Sequence, residues 1–361
     1  MISTITITDF RNHIQSRVRT NGARNIIIIG ENGGGKTALM EAVSQLSHGA
    51  SLRGAALSDM ARMGGNGGFS VNAELEDGTA ISISFTGCDA NRKIRIDGNV
   101  ANASDLANTI RLVWLTPRED RLFADAGASD RRGFFDRMVA GFDAKHAGRT
   151  ARLAKLLSER AFALKNSADD AWVLPIEKHL AATAAAVAAA RVKYAGEVNF
   201  MLADMSQSRI ALSGWFEERM AAGASASDAE REYIAHLSAN RDLVSDRMSI
   251  DGAHRSDFGI WNGALQKQAR MTSTGQQKSV LLEWILAHAR LTAAKCGAAP
   301  VILLDEAAAH LDARARENLF RQLNDTGAQV WMTGIDAELF SGIPDSIFVC
   351  CREGEVVTRD S

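Results

Sequence analysis

Apolar and polar positions divide the chain into three textures. In the first, Ile2, Ile5 and Ile7 predict an opening strand, and the four isoleucines of NIIII (25–29) predict a strand buried on both faces. After one helix, FSVNAEL (69–75), TAISISF (79–85) and RKIRID (92–97) alternate with a period of two. Asp77-Gly78 joins two of them and Asp97-Gly98 closes the third, which is meander chemistry. The glycine run at 64–68 reads as a flexible loop. From about 117 to 238 the chain is alanine-rich, and ARLAKLLSERAFALK (151–165) and LAATAAAVAAARVKYAGEV (180–198) follow helical spacing. Several long helices are expected there, too short for an extended coiled coil. The last texture returns to alternating elements. A helix from 276 to about 295 stops at Gly297 and Pro300, and VILLD (301–305), a helix over 313–324 and QVWMT (329–333) form a parallel strand-helix-strand unit. The expected divisions are 1–116, 117–238 and 239–361.

Gly30-Glu31-Asn32-Gly33-Gly34-Gly35-Lys36-Thr37 stands between the isoleucine strand and an amphipathic helix carrying Leu39, Met40, Val43 and Leu46. This is the full G-x-x-x-x-G-K-[ST] pattern in its required context. Glycines let backbone N–H groups turn inward around a β-phosphate at a helix N-terminus. Lys36 would reach the β- and γ-phosphates and the Thr37 hydroxyl would bind Mg²⁺. A chance glycine turn followed by Lys-Thr is the plainer reading, and the flanking strand and helix argue against it.

A second strand, Val301-Ile302-Leu303-Leu304, ends in Asp305 and Glu306. Asp305 would hold the Mg²⁺ shell and Glu306 would polarise the attacking water. Before it, Ser273-Thr274-Gly275-Gln276 opens a long apolar helix. Alone this is an N-cap. Together with Asp312, six residues past Glu306, it matches the parts that one ATPase subunit offers to the γ-phosphate held by its partner. A phosphate loop near the start, a long insertion, then signature, acidic strand and Asp312 is the layout of an ABC-type ATPase head. The expected fold class is α/β: a P-loop ABC-type head with a mixed sheet, an antiparallel β subdomain and an inserted all-α lobe.

Composition narrows this little further. A net charge of −2 over 361 residues excludes a uniformly basic coat for nucleic acid but leaves room for a local basic patch. Cys88, Cys296, Cys350 and Cys351 form no C-x-x-C pair, so reduced thiols are expected rather than a zinc site or disulfides. No apolar run approaches the roughly 20 residues that cross a bilayer. MISTITITDFRNH lacks the basic and apolar regions of a signal peptide, and a soluble cytoplasmic protein is expected.

Several stretches are more particular than an ATPase layout requires. ITDFRNH (7–13), ENGGGKTALMEAVSQLSHGASLRGA (31–55), VWLTPREDRLFADAGASDRRGFFDRM (113–138), DGAHRSDF (251–258), TSTGQQKS (272–279) and VILLDEAAAHLD (301–312) together resemble the RecF family, bacterial recombination-mediator ATPases related to SMC heads. The resemblance covers nearly the whole chain. It implies an ATP- and Mg²⁺-dependent homodimer on double-stranded DNA near gaps and single-strand junctions. With RecR, and in concert with RecO, such a dimer would help RecA load onto gapped DNA. It also implies that Arg11 touches the nucleotide, and that Ser273, Thr274, Gly275, Gln276 and Asp312 complete the site across the dimer. For DNA the candidates are Arg131, Arg132, Arg149, Arg152 and Lys155, while His254 and Arg255 would face the nucleotide or brace the lobe. There are departures: Ala38 follows the loop threonine in place of asparagine, and Ala253 stands where proline is common. No glutamine lies between Gln45 and Gln207, and Thr333 stands where transporters place a histidine. Slow turnover is therefore expected. The competing expectation is an ABC-type ATPase subunit that does not act on DNA.

Overall fold

A computed structural model describes residues 1–47, 51–89, 91–241, 250–306 and 311–360. The chain opens with β1 (Ile2–Phe10), β2 (His13–Arg19), β3 (Asn25–Ile29), α1 (Lys36–Ser44), α2 (Leu57–Met60), β4 (Phe69–Leu75), β5 (Ala80–Phe85), β6 (Lys93–Ile96), β7 (Asn99–Ala101), α3 (Ala103–Thr109) and β8 (Leu112–Leu115). It continues through α4 (Ala128–Ala140), α5 (His146–Lys165), α6 (Asp170–Met205), β9 (Arg209–Ser213), α7 (Trp215–Ala221), α8 (Ala226–Ala239), β10 (Asp257–Asn262), β11 (Lys267–Gln268) and α9 (Thr274–Cys296). Last come β12 (Val301–Leu304), α10 (Ala313–Asp325), β13 (Val330–Gly334), β14 (Ser346–Arg352) and β15 (Glu355–Asp360). Two compact units result, one of Met1–Asp120 with Leu281–Ser361 and one of Arg121–Val280.

The first unit holds two sheets. One has the order β15-β14-β3-β13-β12-β8, with every neighbour parallel except the β14–β15 hairpin. Its central strands are apolar apart from Asn25 and Thr333, because both faces are covered. The other is antiparallel in the order β2-β1-β4-β5-β6-β7. Leu39, Met40 and Val43 of α1 share one buried cluster with Ile5, Ile7, Val71 and Ile83 of the antiparallel sheet and with Ile26 and Ile28 of the parallel one. The helix after the glycine loop is therefore clamped by apolar burial, at about 25 cal/mol per Å² of covered surface. β2 has no apolar alternation to read, because its inward face includes His13 and Ser16. The glycine run is less free than its composition suggests: a Cβ on Gly68 would lie 2.3 Å from the Phe85 carbonyl oxygen.

In the second unit α5, α6 and α8 bury Leu153, Leu157, Leu180, Ala184, Val187, Tyr233 and Leu237 together. This lobe also carries a small sheet, β11-β10-β9, in which Asp257–Asn262 runs antiparallel to Arg209–Ser213. That pairing draws β10 into the lobe, and the unit extends to Val280, beyond the expected 238. Helix α6 is long and apolar enough, by length and composition alone, to cross a membrane, which scanning for apolar runs missed. Its Leu180, Ala184, Val187 and Ala188 are instead covered by the lobe, and its Glu177 and Arg191 are buried in ion pairs.

Those ion pairs tie the helices together. Arg160 of α5, only 1% exposed, meets Glu177 of α6 at 2.9 Å. Asp136 of α4 accepts from Arg191 of α6 at 2.8 Å through each of its oxygens and lies 2.8 Å from His146 Nε2 of α5. Burial pushes the Asp136 carboxyl up, but the hydrogen bonds and charge from His146 and Arg191 outweigh it and hold the group at about 2. A depressed folded pKa contributes stability above the unfolded value near 3.8, and that contribution is lost as pH falls toward 2. Acid unfolding of this lobe should therefore carry a component of about 2 kcal/mol between pH 4 and pH 2. Asp136→Asn should lack it and melt at lower temperature at pH 7, as read by circular dichroism; an unchanged acid transition would rule the account out.

Candidate active site

The site is assembled by strand register. β3 pairs with β13 so that Ile28 faces Thr333 and Ile29 faces Gly334, and β13 pairs with β12 so that Met332 faces Leu304. The glycine loop leaving β3, Thr333 and the acidic end of β12 therefore emerge side by side. Gly30 (φ +151°) lies so close to β14 that a Cβ there would sit 2.2 Å from the Cys351 carbonyl oxygen. Gly35 (φ +111°) caps α1, and a Cβ there would sit 2.7 Å from His13 Nε2. Both positions need glycine for space and for backbone angle.

The loop is braced from behind. Asn12 Nδ2 donates to the Gly33 carbonyl at 3.3 Å, and Gly354 N–H donates to the Gly34 carbonyl at 3.1 Å. His13 Nε2 lies 3.1 Å from the Gly35 carbonyl, which can only accept, so the ring proton is on Nε2. Its Nδ1 lies 2.8 Å from Ser16 Oγ, itself 3.1 Å from the Gly354 carbonyl. Burial lowers the His13 pKa, against the hydrogen bonds to Gly35 and Gly354, so the ring is neutral at pH 7. The sequence had no means of flagging His13 or Ser16, since their partners lie up to 338 positions away.

In front, Lys36 is nearly buried and donates to the Gly30 and Glu31 carbonyls at 2.7 and 2.9 Å. Thr37 Oγ1 stands 3.4 Å from Asp305 Oδ1. Thr333 Oγ1 donates to that same oxygen at 2.7 Å and accepts from the Glu306 N–H at 2.8 Å. Glu306 has φ +53°, a left-handed backbone that non-glycine residues adopt at a cost. Burial raises the Asp305 pKa and the Glu306 charge adds to it, while Thr333, Arg53 and Thr37 oppose the rise. A buried carboxylate beside a hydroxyl suits a divalent cation that brings its remaining oxygen ligands with it. Among the described residues no cluster of three acidic, histidine or cysteine side chains could hold a metal by itself.

An open cavity of about 720 Å³ is lined by Arg11, Asn32, Lys36, Thr37, Arg53 and Glu306 among others, a size suited to a small ligand. Arg11 borders it with three nitrogens engaged: Nε and Nη2 on the fully buried Glu41, at 2.7 and 3.1 Å, and Nη1 on the Asp59 carbonyl at 2.6 Å. Glu41 thus aims Arg11, a contact the sequence did not announce.

The other expected groups lie apart from this cavity's lining. Ser273, Thr274, Gly275 and Gln276 are exposed at the start of α9. Ser273 N–H donates to Gln276 Oε1 at 3.0 Å, and Gln276 N–H returns to Ser273 Oγ at 3.4 Å, a reciprocal cap that leaves the turn facing outward. Asp312 is exposed and caps α10 through the Ala315 N–H at 2.8 Å. Of the basic candidates, Arg131 is held by Asp257 at 2.8 and 2.7 Å and Arg132 donates to the Ser256 carbonyl at 3.0 Å, so both brace α4 against β10. Arg149 pairs with Asp143. Arg152 and Lys155 are exposed on α5, with Lys155 3.6 Å from Glu159. The five therefore do not form one free cluster. Burial, with Arg132 and Arg255 nearby, holds His254 at about 4, and Arg255 pairs with Asp251 at 3.0 Å.

Gly30→Ala should displace the loop. Amide exchange across 30–37 and in β14 should quicken, whereas Gly33→Ala, with nothing within 4 Å of its added Cβ, should change exchange less. Equal exchange in the two variants would show that the contact with Cys351 does not matter.

Residues 1–358 match the RecF/RecN/SMC N terminal domain family. The DNA replication and repair protein RecF of Allorhizobium ampelinum is 39% identical over 376 aligned positions, covering 98% of each chain. RecF of Mesorhizobium japonicum is 39% identical over 361 positions, covering 95% of this chain and 93% of its own. Among solved structures, the recombination mediator protein RecF with ATPrS, in the RecFOR pathway, superposes with a TM-score of 0.85 at 21% identity, covering 99% of this chain and 98% of that one. A Pyrococcus furiosus Smc head domain bound to the C-terminal domain of ScpA reaches 0.53 at 15% identity, covering 99% and 96%. At such identities the solved structures speak to the fold, which is that of an ABC-type ATPase head with a helical lobe. On sequence, over nearly its full length, the chain belongs to the RecF family.

Proposed function

We propose that this chain is an ATP-gated homodimeric clamp of DNA replication and repair that hydrolyses ATP slowly. The observation that carries the reading is that Lys36, Thr37 and Glu306 line one cavity together with Gly33 and Gly35, with Asp305 3.4 Å behind the Thr37 hydroxyl. The names of the relatives and the ATPrS-bound fold neighbour support it.

The residues divide the work. Backbone N–H groups of the loop and the α1 N-terminus hold the phosphates. Lys36 exchanges the Gly30 and Glu31 carbonyls for the β- and γ-phosphate oxygens. Thr37 and Asp305 would hold Mg²⁺, which neutralises charge developing on the phosphates when bound. Glu306 orients the attacking water and accepts its proton. Ser273, Thr274, Gly275, Gln276 and Asp312, all exposed, come from the second copy and close the site. Closure on gapped or double-stranded DNA, cooperation with RecR and RecO in loading RecA, and residence at the nucleoid in the cytoplasm complete the proposal. Of the DNA candidates, Arg152 and Lys155 keep exposed charge for phosphate contact.

The test is the sedimentation mass of the protein with ADP, with ATP, and with ATP plus gapped duplex. A dimer should appear with ATP and be strengthened by DNA. A monomer in all three conditions would overturn the clamp, and an ATP dimer indifferent to DNA would favour an ABC-type subunit acting elsewhere. Lys36→Ala should weaken ATP binding by about 100-fold, as expected for two charge-assisted hydrogen bonds. Glu306→Gln should bind ATP normally and accumulate the dimer.

A further inference from the structure

We propose that Thr333 is a positioning residue for hydrolysis, holding the Glu306 backbone in its left-handed conformation and fixing the Asp305 carboxylate beside it. The inference rests on the ATPase reading above and assigns a task that no residue yet fills. The Thr333 side chain stands back from the cavity. It is 1% exposed and absent from the residues lining the cavity. Its single hydroxyl proton is given to Asp305 Oδ1 at 2.7 Å, and its oxygen takes the Glu306 N–H at 2.8 Å.

Both bonds act on the acidic turn. Glu306 at φ +53° stands two residues past the end of β12, and an unsatisfied N–H there would let the peptide relax toward a right-handed conformation. Such a flip would swing the Glu306 side chain away from its place at the cavity edge. The hydroxyl also meets the carboxylate oxygen that Thr37 approaches, so one oxygen of Asp305 is fixed between the two threonines. β13 makes the arrangement rigid. Thr333 pairs with Ile28, two residues before Gly30, so the anchor of the acidic turn and the root of the phosphate loop belong to one pair of strands. A threonine in this place couples the loop to the base without touching the ligand.

Thr333→Val keeps the shape and removes both hydrogen bonds; Thr333→Ser keeps both. Steady-state turnover with gapped duplex, the Kd for a fluorescent ATP analogue, and the ATP-dependent dimer by sedimentation are the readouts. For Thr333→Val, kcat should fall by about 10- to 100-fold, up to the lower end of the loss expected when a positioned base is removed outright. The Kd should stay within about threefold, and the ATP dimer should persist longer; Thr333→Ser should recover most of the rate. In a Glu306→Gln background, Thr333→Val should lower turnover no further, since both changes disable one device. If Thr333→Val is not recovered folded, Thr333→Cys, of similar volume with a weak S–H donor, must show the same loss of rate. Wild-type turnover in Thr333→Val, failure of Thr333→Ser to restore it, or an additive loss in the Glu306→Gln background would each overturn the proposal. Equal turnover in wild type and Glu306→Gln would instead strike at the ATPase reading itself.

Discussion

The rest of the site depends on the pairing of β3 with β13 and of β13 with β12. Parallel pairing lines up the carboxyl ends of successive strands, and at this edge the loop, Thr333 and Asp305-Glu306 all begin. A slip of one residue would turn the side chains at that edge to the other face. Ile26, Ile27 and Ile28 are fully buried, and the ends of the strand are held in place by Asn25 Nδ2 on the Pro344 carbonyl at 2.9 Å and by the close approach of Gly30 to Cys351. Ordinary hydrophobic burial thus specifies atomic positions for a handful of polar atoms.

Those polar atoms are arranged so that each strained or desolvated group has a matching partner. Gly30 and Gly35 tolerate contacts that a side chain would not, and their carbonyls are met by Lys36 and His13 respectively. Asp305 is desolvated and Glu306 is in an uncommon backbone region, and one hydroxyl addresses both. Left unmatched, a buried polar group costs about 1–3 kcal/mol, so the cluster tolerates few substitutions.

The helical lobe solves a different problem by related means. Long alanine-rich helices pack closely but offer little shape to fix their rotation. Buried charges supply it: Arg160 with Glu177, and Arg191 with Asp136 and His146, each join different helices. Removing one partner would strand a charge, which costs about 3–5 kcal/mol. The same demand explains why Arg131 and Arg132 are occupied by Asp257 and Ser256 rather than presented outward. Basic residues in a sequence are as often struts as contacts.

What the sequence determined by itself was local. Period-two alternation marked β4 and β5, isoleucine and valine runs marked β3 and β12, and the helix signals closed at Gly297. The glycine loop, the acidic pair and the Ser-Thr-Gly-Gln turn that opens α9 stand out as local patterns because each is a short run of fixed spacing. Tertiary structure alone decided the remainder. The β10 strand belongs to the lobe because it pairs with β9, 44 positions away at its Ser213–Asp257 end. Glu41 aims Arg11 across 30 positions, and Thr333 reaches Asp305 across 28. No propensity or period encodes such contacts, since each exists only after two strands, or a strand and a helix, have been brought together by the burial of residues that take no part in the chemistry.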